Sequence, residues 1–163
     1  MVVVADTSPL TALLHLGQLP ILRGLYGRIV VPASVVQELN SLPAFGYDIS
    51  FIKDEEQFLI LTASNIAMVQ SFSVFLDAGE AEAIALAKEL SADLLLIDER
   101  LGREVAEKIQ IQCKGVVGVL IEAKNAGLIT LVKPLLDRLI EELKFRLSDH
   151  IYSLALQKAG ELK

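Results

Sequence analysis

Leu94-Leu95-Leu96-Ile97-Asp98 is apolar until it stops on an acid, and Glu99-Arg100 follow it. Four consecutive large apolar residues without polar alternation predict a strand buried on both faces, as in a parallel sheet covered by helices. Ligands of such sheets collect beyond the carboxyl ends of the strands, where Asp98 stands. The chain opens on the same design, with Val2-Val3-Val4-Ala5-Asp6 followed by Thr7-Ser8-Pro9. Two such strands would bring two carboxylates to one sheet edge.

Outward from these strands, Thr7-Ser8-Pro9 reads as a hydroxyl cap with a proline in the first turn, which predicts a helix from Pro9 to Gly17. A second short helix is expected over 20–25, a strand over 29–31, a helix over 33–39 and a loop over 41–53. A strand over 58–61 and a short helix over 65–71 come next. The stretch 78–90 is strongly helical and leads into the Asp98 strand. Beyond it are expected a helix over 102–109, a short strand over 111–113, and helices over 115–126, 134–146 and 149–159. This order makes a three-layer α/β/α sandwich around a central, mainly parallel sheet. At 163 residues the chain fits one domain, 1–163, with residues from about 130 onward forming C-terminal helices.

The apolar fraction of 53% and mean hydropathy of +0.50 are high, but no apolar run approaches the roughly 20 residues of a membrane helix. The chain enters a strand without a basic leader segment, and its single cysteine, Cys113, excludes an internal disulfide. Together these predict a cytoplasmic protein without a membrane association, with Cys113 as a small buried hydrophobe. The net charge of −6 argues against a broad basic face for nucleic acid, though not against nucleic acid as a substrate. His15 and His150 have no ligand partner in view and read as structural or surface residues.

Asp6 and Asp98 each read equally as turn residues. Two further acids shift the balance. On the 78–90 helix, Ala83, Ile84, Leu86, Ala87 and Leu90 define an apolar arc that includes Glu80, while Glu82 and Glu89 are expected to project the other way. Glu80 is either the third position of a capping box opened by Asp77 or a site carboxylate, and Asp77 reads as the cap. Glu38, on the helix after the second strand, is either a solvated acid or a fourth member of the cluster. Two carboxylates ~4 Å apart repel by about 4 kcal/mol at an effective dielectric of 20, so four converging acids call for cations. All-oxygen ligation suits Mg²⁺ or Mn²⁺. Such a centre suits phosphodiester hydrolysis, where a cation activates water and polarises the phosphoryl oxygens without a covalent nucleophile. Thr7 or Ser8 could hydrogen-bond the water or the phosphate, with capping the alternative for Ser8. Arg100 and Arg103 could hold backbone phosphates, or form an ordinary charged helix start.

Asp6 in VVVADTSPL, Glu38 in VPASVVQEL, Glu80 in LDAGEAEAIALA and Asp98 in LLLIDERLGREVA occur in the order and settings of the PIN-domain ribonucleases. More narrowly, the chain resembles the prokaryotic PIN-like branch DUF3368, often grouped with VapC-type toxins. The segment GVVGVLIEAKNAGLI, the proline-started helix after it and the FRLSD…AGE tail are similar to that branch as well. The resemblance implies that Asp6, Glu38, Glu80 and Asp98 form the catalytic, metal-binding quartet for Mg²⁺ or Mn²⁺, and that Thr7 is the hydroxyl residue following the first acid. Many PIN toxins carry Asp at the position of Glu80. The resemblance further implies an endoribonuclease acting on RNA, a homodimer, and a small antitoxin protein that covers the cleft of a toxin. Two other readings stay open: a catalytically idle PIN-like module that binds RNA or a protein, and a phosphotransfer domain, for which the expected D-x-D or late Lys is lacking. Apolar residues along the last two helices suggest a surface covered by a partner, or helices that close the core.

Overall fold

The computed structural model describes residues 1–162. Its centre is a five-stranded, fully parallel sheet in the order β3-β2-β1-β4-β5. The strands are β1 (Val3–Ala5), β2 (Ile29–Pro32), β3 (Phe58–Leu61), β4 (Leu94–Leu96) and β5 (Cys113–Lys114). Val3, Val4 and Ala5 pair with Leu94, Leu95 and Leu96, so the two strands that end on Asp6 and Asp98 are neighbours in the middle of the sheet. Asp6 N–H extends the ladder by donating to Leu96 O at 2.9 Å.

Both faces are covered, which is why these strands carry no polar alternation. Val3, Ala5, Ile29, Val31, Leu94 and Leu96 face one core, built with α1 (Thr7–His15), α2 (Pro20–Tyr26), α7 (Val116–Asn125), α8 (Lys133–Leu143) and α9 (Asp149–Lys158). Val4, Val30, Leu95 and Ile97 face a second core with α5 (Ala78–Glu89) and α6 (Arg100–Lys108), flanked by α4 (Ile66–Phe72). The alternation is the period of two of a pleated strand, with both sides buried. The helix α3 (Ala33–Leu39) follows β2 and packs on α1 and α5. No helix among the described residues is long and apolar enough to cross a membrane.

Several expectations are corrected. The first helix begins at Thr7 rather than Pro9, with Asp6 at the N-cap position, so neither Thr7 nor Ser8 caps it. Two 3-10 turns, Leu42–Phe45 and Ser50–Lys53, organise the expected loop. The last strand lies at Cys113–Lys114, one to two residues later than expected. The helix over 134–146 ends at Leu143, because Lys144 turns into the left-handed region at φ 56° and Phe145 N–H bonds back to Leu139 O. Phe145 and Leu147 then pack on the core while Arg146 between them is exposed.

The helix α5 has no solvent face over most of its length: Gly79 to Ala87 are all buried. Alternating alanines at 81, 83, 85 and 87 let it lie between the sheet and its neighbours α3, α4 and α6. Glu82 is therefore not outward-facing. It is 5% exposed and accepts hydrogen bonds from Ser34 N–H (2.8 Å) and Ala63 N–H (3.1 Å). Glu89 does project outward, and its carboxylate receives Asn65 N–H at 2.6 Å.

Candidate metal centre

Asp6 leaves the central strand β1 at the carboxyl edge of the sheet, where its backbone opens α1 and its side chain makes no capping bond. Glu38 reaches the same place from α3. Its carboxylate is fixed on both oxygens, by the Thr7 hydroxyl (2.5 Å) and by Gly79 N–H (3.0 Å). Asp77 caps α5 by accepting Glu80 N–H at 2.8 Å. Ligand oxygens of Asp6, Glu38 and Asp77 all lie within 4.8 Å of one another. Asp77 thus does two things at once. Its role as cap was legible in the sequence; its place beside Asp6 and Glu38 was not.

Glu80 and Asp98 flank this triad rather than join its 4.8 Å group. Glu80 is buried, donates its backbone N–H to Asp77 Oδ1, and its side chain lies in the fields of Asp77 and Asp6. Asp98 holds Val116 N–H at 2.9 Å through Oδ1. The backbone N–H groups that meet Glu38, Asp77 and Asp98 belong to the first turns of α5 and α7, whose dipoles favour anions there. Glycines let these backbones come close. A Cβ at Gly79 would collide with the Glu38 carboxylate, one at Gly102 would stand 2.9 Å from Glu80 Oε2, and one at Gly115 would stand 2.5 Å from Asp98 Oδ1.

Helix ends do not suffice to neutralise the cluster. Burial above all, with added repulsion from Asp77, Glu38 and Asp98, pushes the Asp6 carboxyl up to about 7 despite the Thr7 N–H. Burial and the Asp77 contact push Glu80 up to about 9. Burial raises Asp98 to about 6, although Val116 N–H and the Arg103 guanidinium pull it down. Asp6 Oδ1, Glu80 Oε2 and Asp98 Oδ2 are buried without a hydrogen-bond partner among the described residues. Unpartnered buried carboxylate oxygens are costly, and a hard divalent cation is the partner whose chemistry fits an all-oxygen donor set. The residues present fit such an ion.

Of the other expected site residues, Thr7 positions Glu38, whereas Ser8 is exposed. Arg103 lies beside Asp98. Arg100 is 90% exposed and, among the described residues, makes only a 3.7 Å contact with Glu104. Cys113 is half-buried, with a thiol that burial pushes up to about 11, which leaves it unreactive. His15 bonds Tyr47 and Glu142 and acts as a strut.

A family model described as PIN domain, DUF3368, matches residues 2–161. No curated protein matches the chain.

Proposed function

The chain belongs to the PIN-domain family, and from that premise we propose that it is a Mg²⁺- or Mn²⁺-dependent endoribonuclease. The observation that carries the proposal is the convergence of Asp6, Glu38 and Asp77 within 4.8 Å, ringed by buried carboxylate oxygens that lack partners. Asp6, Glu38 and Asp77 would hold the cation, with Glu80 and Asp98 completing the acidic ring. Bound there, the cation supplies positive charge that offsets the carboxylates and draws electron density from the scissile phosphoryl group. The chain's own groups do the rest. Thr7 Oγ1 and Gly79 N–H hold Glu38 in one orientation. Val116 N–H ties down Asp98 Oδ1, and the carboxylate cluster would take up the proton that the attacking water releases. Hydrolysis then needs no covalent nucleophile: the water oxygen bonds to phosphorus as the P–O bond to the leaving oxygen breaks.

The resemblance to the branch grouped with VapC-type toxins supports a finer reading, a cytoplasmic toxin silenced by a small antitoxin protein. Exposed apolar residues support a protein contact such as a homodimer, and they occur in two places, Leu131 and Ile151 by the last two helices and a second group around α4. The last two helices turn Leu136, Leu139, Ala155 and Leu156 into the core, whereas Ile66, Val74 and Phe75 around α4 are exposed. The proposal is tested by incubating a mixed RNA pool with the protein and Mn²⁺. Wild type cleaves, EDTA abolishes cleavage, and Asp6→Asn lowers the rate at least 100-fold. Cleavage that survives both EDTA and Asp6→Asn overturns the metal-dependent reading. Absence of cleavage in a wild type that still binds RNA favours the idle module.

A further inference from the structure

Beside Asp98 opens a cleft of about 530 Å³, walled on one side by Arg100, Arg103 and Lys114 and on the other by Phe145, Arg146 and Leu147. Three of the six arginines of the chain line it. The other three are engaged elsewhere: Arg23 with Asp54 and Gln57, Arg28 with the Glu55 carbonyl, and Arg138 with Glu142. Arg103 and Arg146 have no such partner among the described residues, and Arg100 has only its distant Glu104. Lys114 is bound to Glu122 and is not available. Asp98 at the edge of the cleft offsets at most one of these three guanidinium groups, and their planar forks match phosphate.

Charge is equally telling on the opposite side of the acidic cluster. Between Ile29 and Ala87, the span that supplies Glu38 and Asp77, the sole basic residue is Lys53. The span that supplies Glu38 and Asp77 thus offers an anionic polymer a single cation, whereas the cleft beside Asp98 offers three arginines. We propose that this cleft is the strand-binding subsite of the protein, taking backbone phosphates of single-stranded RNA that flank the scissile phosphate on the Asp98 side. The inference rests on the nuclease reading for the identity of the strand. The volume lies within the 300–1,000 Å³ range of small-ligand pockets, room for about one or two nucleotide units. The left-handed turn at Lys144 is what creates the second wall. It ends α8, seats Phe145 and Leu147 on the core and directs Arg146 outward. Arg146 is a binding residue that the functional reading of the sequence did not single out.

The test measures anisotropy of a labelled single-stranded dodecaribonucleotide in Ca²⁺ over a salt series, together with Mn²⁺ calorimetry and cleavage of the RNA pool. Arg146→Ala and Arg100→Ala should each weaken strand binding about fivefold or more. Each should also reduce the slope of log K against log salt by about 0.7, leaving the Mn²⁺ isotherm and Tm as in wild type. Lys53→Ala should change none of these. If wild type cleaves and both arginine variants bind the strand like wild type, the subsite is wrong and the nuclease reading stands. If the arginines govern strand binding but wild type never cleaves, the subsite stands and the nuclease reading fails. If wild type binds no strand, or a poly-glutamate peptide binds in an arginine-dependent way in its place, the subsite assignment is overturned and an acidic protein segment is the occupant.

Discussion

Gly79, Gly102 and Gly115 stand against Glu38, Glu80 and Asp98 respectively, so each of these carboxylates occupies space that a methyl group would take. At Gly79 the backbone is helical, so alanine there adds helix propensity worth about 1 kcal/mol while displacing the Glu38 carboxylate. Gly79→Ala is therefore expected to leave the chain folded and to weaken Mn²⁺ binding at least tenfold by calorimetry. Unchanged affinity would show that Glu38 is not a ligand. Proton linkage gives a second residue-level prediction. Asp6, Glu80 and Asp98 rise from ordinary values of 3.8, 4.5 and 3.8 to about 7, 9 and 6. A native state that holds its protons more tightly than the unfolded chain loses stability as pH rises. Their contribution is complete below about pH 4 and disappears between there and about pH 9. Acids held low by hydrogen bonds, such as Glu89 and Glu161, act below that window. Metal-free protein should thus melt at a higher temperature at about pH 5 than at about pH 8, and added Mn²⁺ should raise Tm most at the higher pH. A metal-free Tm that increases over this range would contradict the crowding of unpaired acids. At this scale the sequence disclosed Asp6 and Glu38 through their positions at a strand end and on a helix. The double duty of Asp77 was hidden, because D-x-x-E is fully explained by capping until its neighbours in space are known.

The elements whose boundaries were legible are those with local punctuation. Pro32 and Asn40 bracket α3, and the charged turn before Phe58 sets β3, and both match expectation to the residue. The end of α8 was illegible because Lys144, not glycine, takes the left-handed turn. The misreading of α5 has a different cause. Its apolar arc was drawn on the assumption of a solvent face, whereas α3, α4 and α6 enclose it. Glu82 is the consequence: a buried carboxylate that ties α5 to the start of α3 and to the segment after β3. Glu82→Ala leaves Ser34 N–H and Ala63 N–H without their acceptor and should lower stability by about 2–4 kcal/mol in urea unfolding. Glu82→Gln, which keeps one carbonyl oxygen, should lose about half as much. An Ala variant as stable as wild type would show that these two N–H groups find other partners.

Across the whole molecule, the parallel order and the position of the site at the carboxyl edge follow from two buried strands that each end on aspartate. The distribution of charge was not visible as a whole-chain sum. A net −6 conceals an acidic centre with an arginine cleft beside Asp98 and a single base along the span that supplies Glu38 and Asp77. The last two helices largely close the core, one of the two readings their apolar residues allowed, while Leu131 and Ile151 stay exposed beside them. All of these features converge on one claim, that the clustered acids exist to hold a divalent cation. Calorimetric titration of Mn²⁺ into wild type and into Asp6→Asn/Asp98→Asn tests it most directly. The predicted result is saturable binding to wild type and at least a hundredfold weaker binding to the double variant, both folded by circular dichroism. Wild type that takes up no Mn²⁺ would contradict it, and would reduce the acids to helix caps and surface charges on a binding scaffold.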